Sequence, residues 1–196
     1  MYTETGECVM ELWDAYDRFG NLTGGTLERD RPVPEGLHHL VCCVLVQHAD
    51  GEYLLMRRDL NKKNWPGYYE ASAGGAVQKG ETLLEGARRE LREETGITAG
   101  EMKPYFAARD ADCLYGGYIC RTECPKNSIV LQEKETIGYR WVSREELIAM
   151  MEAEPFEVIV QAATRNYFGL ETPHPAEEYR MVNDAVETDD FVKFDT

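Results

Sequence analysis

Apolar and polar residues alternate along this chain in blocks that change period several times. LWDAYD at 12–17 and LTGGTLER at 22–29 flank RFGN, which predicts a hairpin with a Gly-Asn turn. RPVPEG at 31–36 reads as a loop. LHHLVCCVLVQH at 37–48 is almost continuously apolar, as a strand buried on both faces should be. ADG then turns the chain into a second strand, EYLLMRR at 52–58. After the loop DLNKKNWPG, the stretch YYEASAGG at 68–75 leads into a helical block. Two antiparallel strands are expected at about 104–111 and 114–122, then a loop with a short strand in NSIVLQEKET, then a strand at 139–143. Ser143 caps a helix over REELIAMMEA, and a last helix opens at Pro155 and runs to about Phe168, ended by Gly169. Few helices among many strands predict an α/β (α+β) fold, with a mixed sheet between helical layers.

The helical block has well-marked ends. Thr82 and Glu85 form a capping box, and Gly96 is a left-handed stop, so the helix spans Leu83 to Thr95. At 100° per residue, Leu84, Ala87 and Leu91 share the core stripe, with Leu83 at its edge. Glu90, Glu93 and Glu94 fall on an adjoining face at i, i+3 and i+4, where like charges repel. Hard divalent cations such as Mg²⁺ or Mn²⁺ turn that repulsion into ligation. Arg89 is placed to orient the carboxylates, reaching Glu93 at i+4 and Glu81 upstream. Gly86, one turn before Glu90, leaves room either for a ligand or for close packing.

Composition narrows the rest. The 196 residues carry a formal charge of −15, which argues against binding nucleic acid or an anionic membrane surface. No run of about 18 apolar residues predicts a membrane span, and the first ten residues lack the pattern of a secretory leader. A cytoplasmic protein is the default expectation. The six cysteines (Cys8, Cys42, Cys43, Cys113, Cys120, Cys124) form no C-x-x-C pair and read as reduced structural thiols. Cys42 and Cys43 must face opposite sides of their strand. Residues 171–196 hold eight acids against two bases, with weak periodicity, and read as an acidic C-terminal tail, disordered or packed on a partner.

Residues 75–97, GAVQKGETLLEGARRELREETGI, satisfy every position of G-x5-E-x7-R-E-U-x-E-E-x-G-U, where U is bulky and aliphatic. A chance match is on the order of 10⁻¹⁰ per starting position. This stretch resembles the Nudix family's signature. The resemblance implies an α/β/α sandwich over residues 11–170, after an N-terminal extension at 1–10. It also implies a metal-dependent hydrolase that cleaves a diphosphate linkage, such as that of a nucleoside diphosphate joined to another moiety. Mg²⁺ or Mn²⁺ would be held by Glu90, Glu93, Glu94 and the Gly74 carbonyl. Glu93 or Glu135 would take the proton from the attacking water, with Arg89 and Glu81 completing the catalytic group. The partner is then a small diphosphate, and a homodimer stays open.

ELWDAYDRFGN, LHHLVCCVLV and RRDLNKKNWPGYYEASAGG resemble, more narrowly, the branch of type I isopentenyl diphosphate isomerases and their hydrolase relatives. That likeness implies diphosphate contacts from Arg58 and Lys62. It also sets His39 where the isomerases have a metal-ligand histidine. This chain carries Gly74 in place of the isomerases' cysteine and Ala76 in place of a histidine. Hydrolysis is therefore expected, with an isomerase or a non-catalytic diphosphate-binding module as alternatives. Trp65, Tyr68 and Tyr69 are candidates either for stacking on a base or for packing.

Overall fold

The computed structural model describes residues 10–153, 156, 158–182 and 189–194. Cys8 and Pro155 lie outside them. A hairpin comes first, β1 (Leu12–Tyr16) and β2 (Leu22–Glu28), paired antiparallel as a sheet of its own. Its turn is set by Asp17, whose carboxylate accepts the N–H groups of Phe19 and Asn21, and by Gly20 at φ 83°.

The main sheet is built from β3 (His39–His48), β4 (Tyr53–Arg58), β5 (Tyr69–Ala71), β6 (Ala73–Ala76), β7 (Met102–Arg109), β8 (Cys113–Thr122), β9 (Thr136–Val142) and β10 (Glu178–Met181). Its order is β10-β7-β8-β3-β4-β5, with β6 also on β3 and β9 also on β4. β3 runs parallel to β8 from His39↔Cys113 to His48↔Thr122, and the other pairings are antiparallel, so the sheet is mixed. β3 and β4 pair at Gln47↔Tyr53 and then diverge. Ser72 sits at the fork: its hydroxyl accepts from Val46 N (2.8 Å) and donates to Leu54 O (2.8 Å). Those backbone groups, deep in the core, are thereby satisfied where no ladder reaches them.

Helices α1 (Leu83–Thr95), α2 (Arg144–Ala153) and α3 (Val158–Tyr167) cover the sheet. Side chains of β3 alternate between two cores, as strand geometry demands. Cys42, Val44 and Val46 join Leu83, Ala87 and Leu91 of α1. Cys43 and Leu45 join Leu147 of α2 and Ile159 and Val160 of α3. The result is the expected α/β/α sandwich. Each large aliphatic side chain so buried contributes about 1.5–3 kcal/mol. No helix among the described residues is long and apolar enough to cross a membrane.

The ends of α1 are as read: Thr82 and Glu85 cap each other reciprocally, and Gly96 at φ 75° donates to Arg92 O. Ser143 and Glu146 cap α2 in the same way. The core stripe differs. Leu83, not Leu84, lies fully buried in line with Ala87 and Leu91, an i, i+4, i+8 row, and Leu84 is half-buried. NSIVLQEKET holds no strand up to residue 135; the extended segment begins at Thr136, three residues before the expected strand.

The described residues beyond 170 also differ from the tail expected there. Glu178–Met181 adds β10 to the edge of β7, and Phe191, Val192 and Phe194 are buried in the α1-side core. Gly116 makes the space: a Cβ there would stand 2.3 Å from Leu83 Cδ2 and 2.8 Å from Val192 Cγ1. Phe194 N donates to Phe19 O (3.0 Å), which ties this segment to the N-terminal hairpin.

Candidate active site

Helix α1 lies against β6 because β6 has almost no side chains. A Cβ on Gly75 would stand 2.6 Å from Glu90 Oε1, and one on Gly74 would stand 2.9 Å from Cys42 O. The bare strand lets Glu90 and Glu94 turn inward. Gly86 is buried against Val77, where a Cβ would lie 3.0 Å from Val77 Cγ2, so its space is taken by packing.

Arg89 ties the box together. Its Nε and Nη2 donate to the two oxygens of Glu81 (2.8 and 2.9 Å), the paired geometry that suits guanidinium and carboxylate. Its Nη1 donates to Glu90 Oε1 (2.6 Å) and, more weakly, to Glu93 Oε2 (3.5 Å). Its Nη2 also reaches Ala76 O (3.1 Å) on β6. Burial pushes the Glu81 pKa up, but the Arg89 fork and the Gln78 N–H outweigh it, and Glu81 is held below its ordinary range. Burial raises Glu90, with Arg89 opposing. Glu94 is pushed well above the usual carboxylate range by burial, and then by Glu70, Glu90 and Glu135 nearby. Its oxygen accepts the Gly74 N–H at 3.3 Å.

The opposite wall comes from β4, β5 and two loops. Arg58 Nη1 pairs with Glu70 Oε2 (2.5 Å), and Arg58 Nε donates to Asn64 O (3.2 Å). Lys62 pairs closely with Glu135, and Asp59 N donates to Glu135 O (2.8 Å). Arg57, the next residue along β4, points off the cleft: its Nε donates to Gly67 O and its guanidinium lies over the Tyr69 ring. Arg58, Lys62, Gly74, Arg89, Glu90, Glu93, Glu94 and Glu135 therefore all line one open cleft of ≈1970 Å³. Glu81 stands behind Arg89 and does not line it. Tyr69 is buried in the core, and Trp65 lines the cleft.

Glu70 was missed in the sequence. It is 8% exposed, sits between the buried Tyr69 and Ala71, and faces both Arg58 and Glu94. A lone acid in a short apolar strand was the available signal. Trp13 is the other addition: it stacks on His39, and both line the same cleft.

Among the described residues, no three of His, Cys, Asp or Glu are already drawn together as a metal cage. The donor chemistry nonetheless fits a hard divalent cation. Glu70, Glu81, Glu90, Glu93, Glu94 and Glu135 are met by Arg58, Lys62 and Arg89, which leaves a local excess of negative charge. Two of those carboxylates, Glu90 and Glu94, are largely withdrawn from water at the cleft, and their ionised forms are costly there without a counter-charge.

Comparison with known proteins accords with this geometry. The NUDIX domain profile matches residues 37–162. An uncharacterized Nudix hydrolase of Listeria monocytogenes is 31% identical over 149 residues, covering 75% of this chain and 88% of that protein. The uncharacterized Nudix hydrolase YfcD of Escherichia coli K12 is 34% identical over 125 residues, covering 62% and 68%. Among solved structures, DR0079 from Deinococcus radiodurans shares the fold with a TM-score of 0.64 at 22% identity, over 80% of this chain and 98% of that one. The chain belongs to the Nudix family and is a Nudix hydrolase.

Proposed function

We propose that this hydrolase cleaves a diphosphate linkage in a nucleoside diphosphate joined to another moiety, using Mg²⁺ or Mn²⁺. The observation that carries this reading is the pair of buried carboxylates, Glu90 and Glu94, facing a cleft that Arg58 and Lys62 also line. Glu90, Glu93 and Glu94 would hold the cation, with the Gly74 carbonyl as a further oxygen. When bound, the cation supplies charge neutralisation at the phosphate oxygens and acidifies water. The chain's own residues do the rest. Arg89, fixed by Glu81, holds the carboxylates in register. Arg58 and Lys62 bind the phosphates, exchanging their present partners Glu70 and Glu135 for phosphate oxygens. Glu93 or Glu135 accepts the proton of the attacking water. Positioning and charge stabilisation of this kind are most of what phosphoryl chemistry asks of a protein.

Isomerisation at carbon is disfavoured by the same site. Gly74 and Ala76 offer no proton donor or acceptor on their side chains. The neighbouring thiol, Cys42, gives its S–H to Gly75 O (3.4 Å), and burial raises its pKa well above the ordinary value. A binding-only module is disfavoured because every box carboxylate is present.

The test is a screen of nucleoside diphosphate sugars, dinucleotides, nucleotides and isoprenyl diphosphates with Mg²⁺ and Mn²⁺, read as released phosphate products. Incubation with isopentenyl diphosphate in heavy water should give no deuterated dimethylallyl product. Formation of that product without hydrolysis of any diphosphate would overturn the reading.

A further inference from the structure

Both cations assigned to the phosphates already have acidic partners: Arg58 pairs with Glu70, and Lys62 with Glu135. An entering phosphate must compete with a carboxylate for each. A neutral donor in the same place escapes that competition, because an amide N–H binds a carboxylate less strongly than a cation does. The loop at 123–135, which joins β8 to β9, supplies one. Val130 N donates to Thr95 O (3.0 Å) at the end of α1, and Asp59 N donates to Glu135 O (2.8 Å) on the opposite wall. The loop thus runs from the box helix to the wall that holds Lys62. Between these anchors, Gln132 lines the cleft. Its backbone carbonyl accepts both Glu135 N and Thr136 N (3.1 Å each), which fixes the root of its side chain beside Glu135. Lys134, inside this turn, is left-handed at φ 68°, a conformation that a non-glycine residue keeps only where its surroundings impose it.

The Gln132 side chain does nothing for the fold. Its Oε1 is buried and has no hydrogen-bond partner among the described residues, and the same holds for Thr136 Oγ1 on the same turn. Its Nε2 stays open to solvent and is not engaged by the protein. A buried amide oxygen left unpaired is costly. Turning the amide over does not help, because one polar end is shut away in either orientation. A glutamine kept only for solubility would give both ends to water.

We propose that Gln132 binds the substrate's diphosphate, its Nε2–H donating to a non-bridging phosphate oxygen between Lys62 and the box. This rests on the diphosphate reading, since it adds a contact to that same site. The amide gives up only water to make the bond, whereas Arg58 and Lys62 must first part from Glu70 and Glu135. Gln132 is therefore free to take a phosphate oxygen before either ion pair opens. The residue type fits the place. A lysine at 132 would be captured by Glu135, as Lys62 is, and an acid would repel the phosphate. An amide does neither, because it carries donors and no charge. Lys63 also lines the cleft, but it stands exposed on the loop after β4 and lacks the fixed root that the turn gives Gln132.

The experiment is calorimetric titration of the full chain with methylenediphosphonate, a diphosphate whose bridge cannot be hydrolysed, with Mg²⁺ present, beside melting curves of the same proteins. Gln132→Met keeps the length of the side chain but has no N–H. It should bind the probe about tenfold more weakly, the scale of one hydrogen bond to a charged group. It should also melt no lower than the unaltered protein, because an unpaired buried oxygen has been removed. Gln132→Glu keeps the shape and adds an anion, so it should bind more weakly still, and it carries the test if Gln132→Met misfolds. Lys63→Ala should bind as the unaltered protein does. Unchanged affinity in both Gln132 variants would overturn the proposal, as would loss of affinity on Lys63→Ala alone. Weaker binding with a lowered melting temperature in both Gln132 variants would overturn it too, by assigning the side chain to the fold. Failure of the diphosphate reading looks different, as no binding of the probe even by the unaltered protein, and it would take this proposal with it.

Discussion

Glu94 is 5% exposed, and burial and then the neighbouring Glu70, Glu90 and Glu135 disfavour its ionised form, against the single backbone N–H of Gly74 that favours it. Its folded pKa is raised, so its contribution to stability is fully present below the ordinary carboxylate pKa and is lost as pH rises through the raised folded value. Glu90 shifts in the same direction. Without divalent cation, Glu94→Gln should therefore melt higher than the unaltered protein at pH 8, and the gap should close toward pH 4. Each kcal/mol corresponds to about 2–4 °C in a chain of this size. Added Mg²⁺ should raise the melting temperature of the unaltered protein more than that of the variant. Thermal scans at both pH values decide it: an unaltered protein that stays the more stable at pH 8 means Glu94 is already compensated within the fold. The same substitution, like Glu93→Gln, should cut turnover about a hundredfold or more through loss of a pre-organised charge. Gly75→Ala makes a steric counterpart, because its Cβ must displace Glu90 from 2.6 Å. Activity should fall at least about tenfold, as misplaced catalytic groups do, with the circular dichroism spectrum retained.

At the scale of elements, the box was legible because its rules are local. Capping residues, the left-handed glycine and the spacing of Arg89 to Glu93 all act within a few turns of one helix, so α1 and its carboxylate face could be read directly. The opposite wall could not. Arg58 and Lys62 were legible as cations on a strand and loop, but their partners Glu70 and Glu135 are fixed by strand pairing and loop contacts that no local rule specifies. Those partners split the expected effects of mutation. Arg58→Ala removes both the proposed phosphate contact and the countercharge of a buried glutamate, so it should raise KM and also destabilise the fold. Combining it with Glu70→Gln should restore much of the melting temperature but not KM. Lys62→Ala should raise KM with less change in kcat, a loss of about 1.5–3 kcal/mol for a charge-assisted contact. Arg57→Ala should change KM little, since that side chain lies over Tyr69, away from the cleft. Steady-state kinetics and melting curves on the same four proteins test this, and equal, negligible KM changes at Arg58 and Lys62 would place the phosphates elsewhere.

At the scale of the whole molecule, the two ends of the described chain meet. Residues 171–196 read as a tail, disordered or packed on a partner, because acids dominate and periodicity is weak, and no local rule marks Phe191, Val192 and Phe194 as core. Their burial depends on distant residues: Gly116 and Leu83 bound the space, Tyr118 packs edge-on to Phe191 at 5.4 Å, and Arg109 and Arg180 lie over the Phe194 ring. Arg180 Nη2 also holds the backbone, donating to Phe191 O (2.6 Å) and Lys193 O (2.7 Å). This segment both closes the α1-side core and, through Phe194 N–H to Phe19 O, holds the hairpin turn. Phe191→Ala should cost about 3–5 kcal/mol, as emptying a buried aromatic site does. Phe194→Ala leaves the backbone bond possible but removes the ring that Arg109 and Arg180 grip, and Arg109 Nη1 also donates to Arg18 O in the hairpin (3.2 Å). It should therefore loosen the hairpin beyond its effect on global stability. Amide hydrogen exchange reads the difference: in Phe194→Ala, protection across Leu12–Glu28 should fall more than protection in β3 or α1. A uniform fall across all three would mean that the segment stabilises the core alone and has no separate hold on the hairpin.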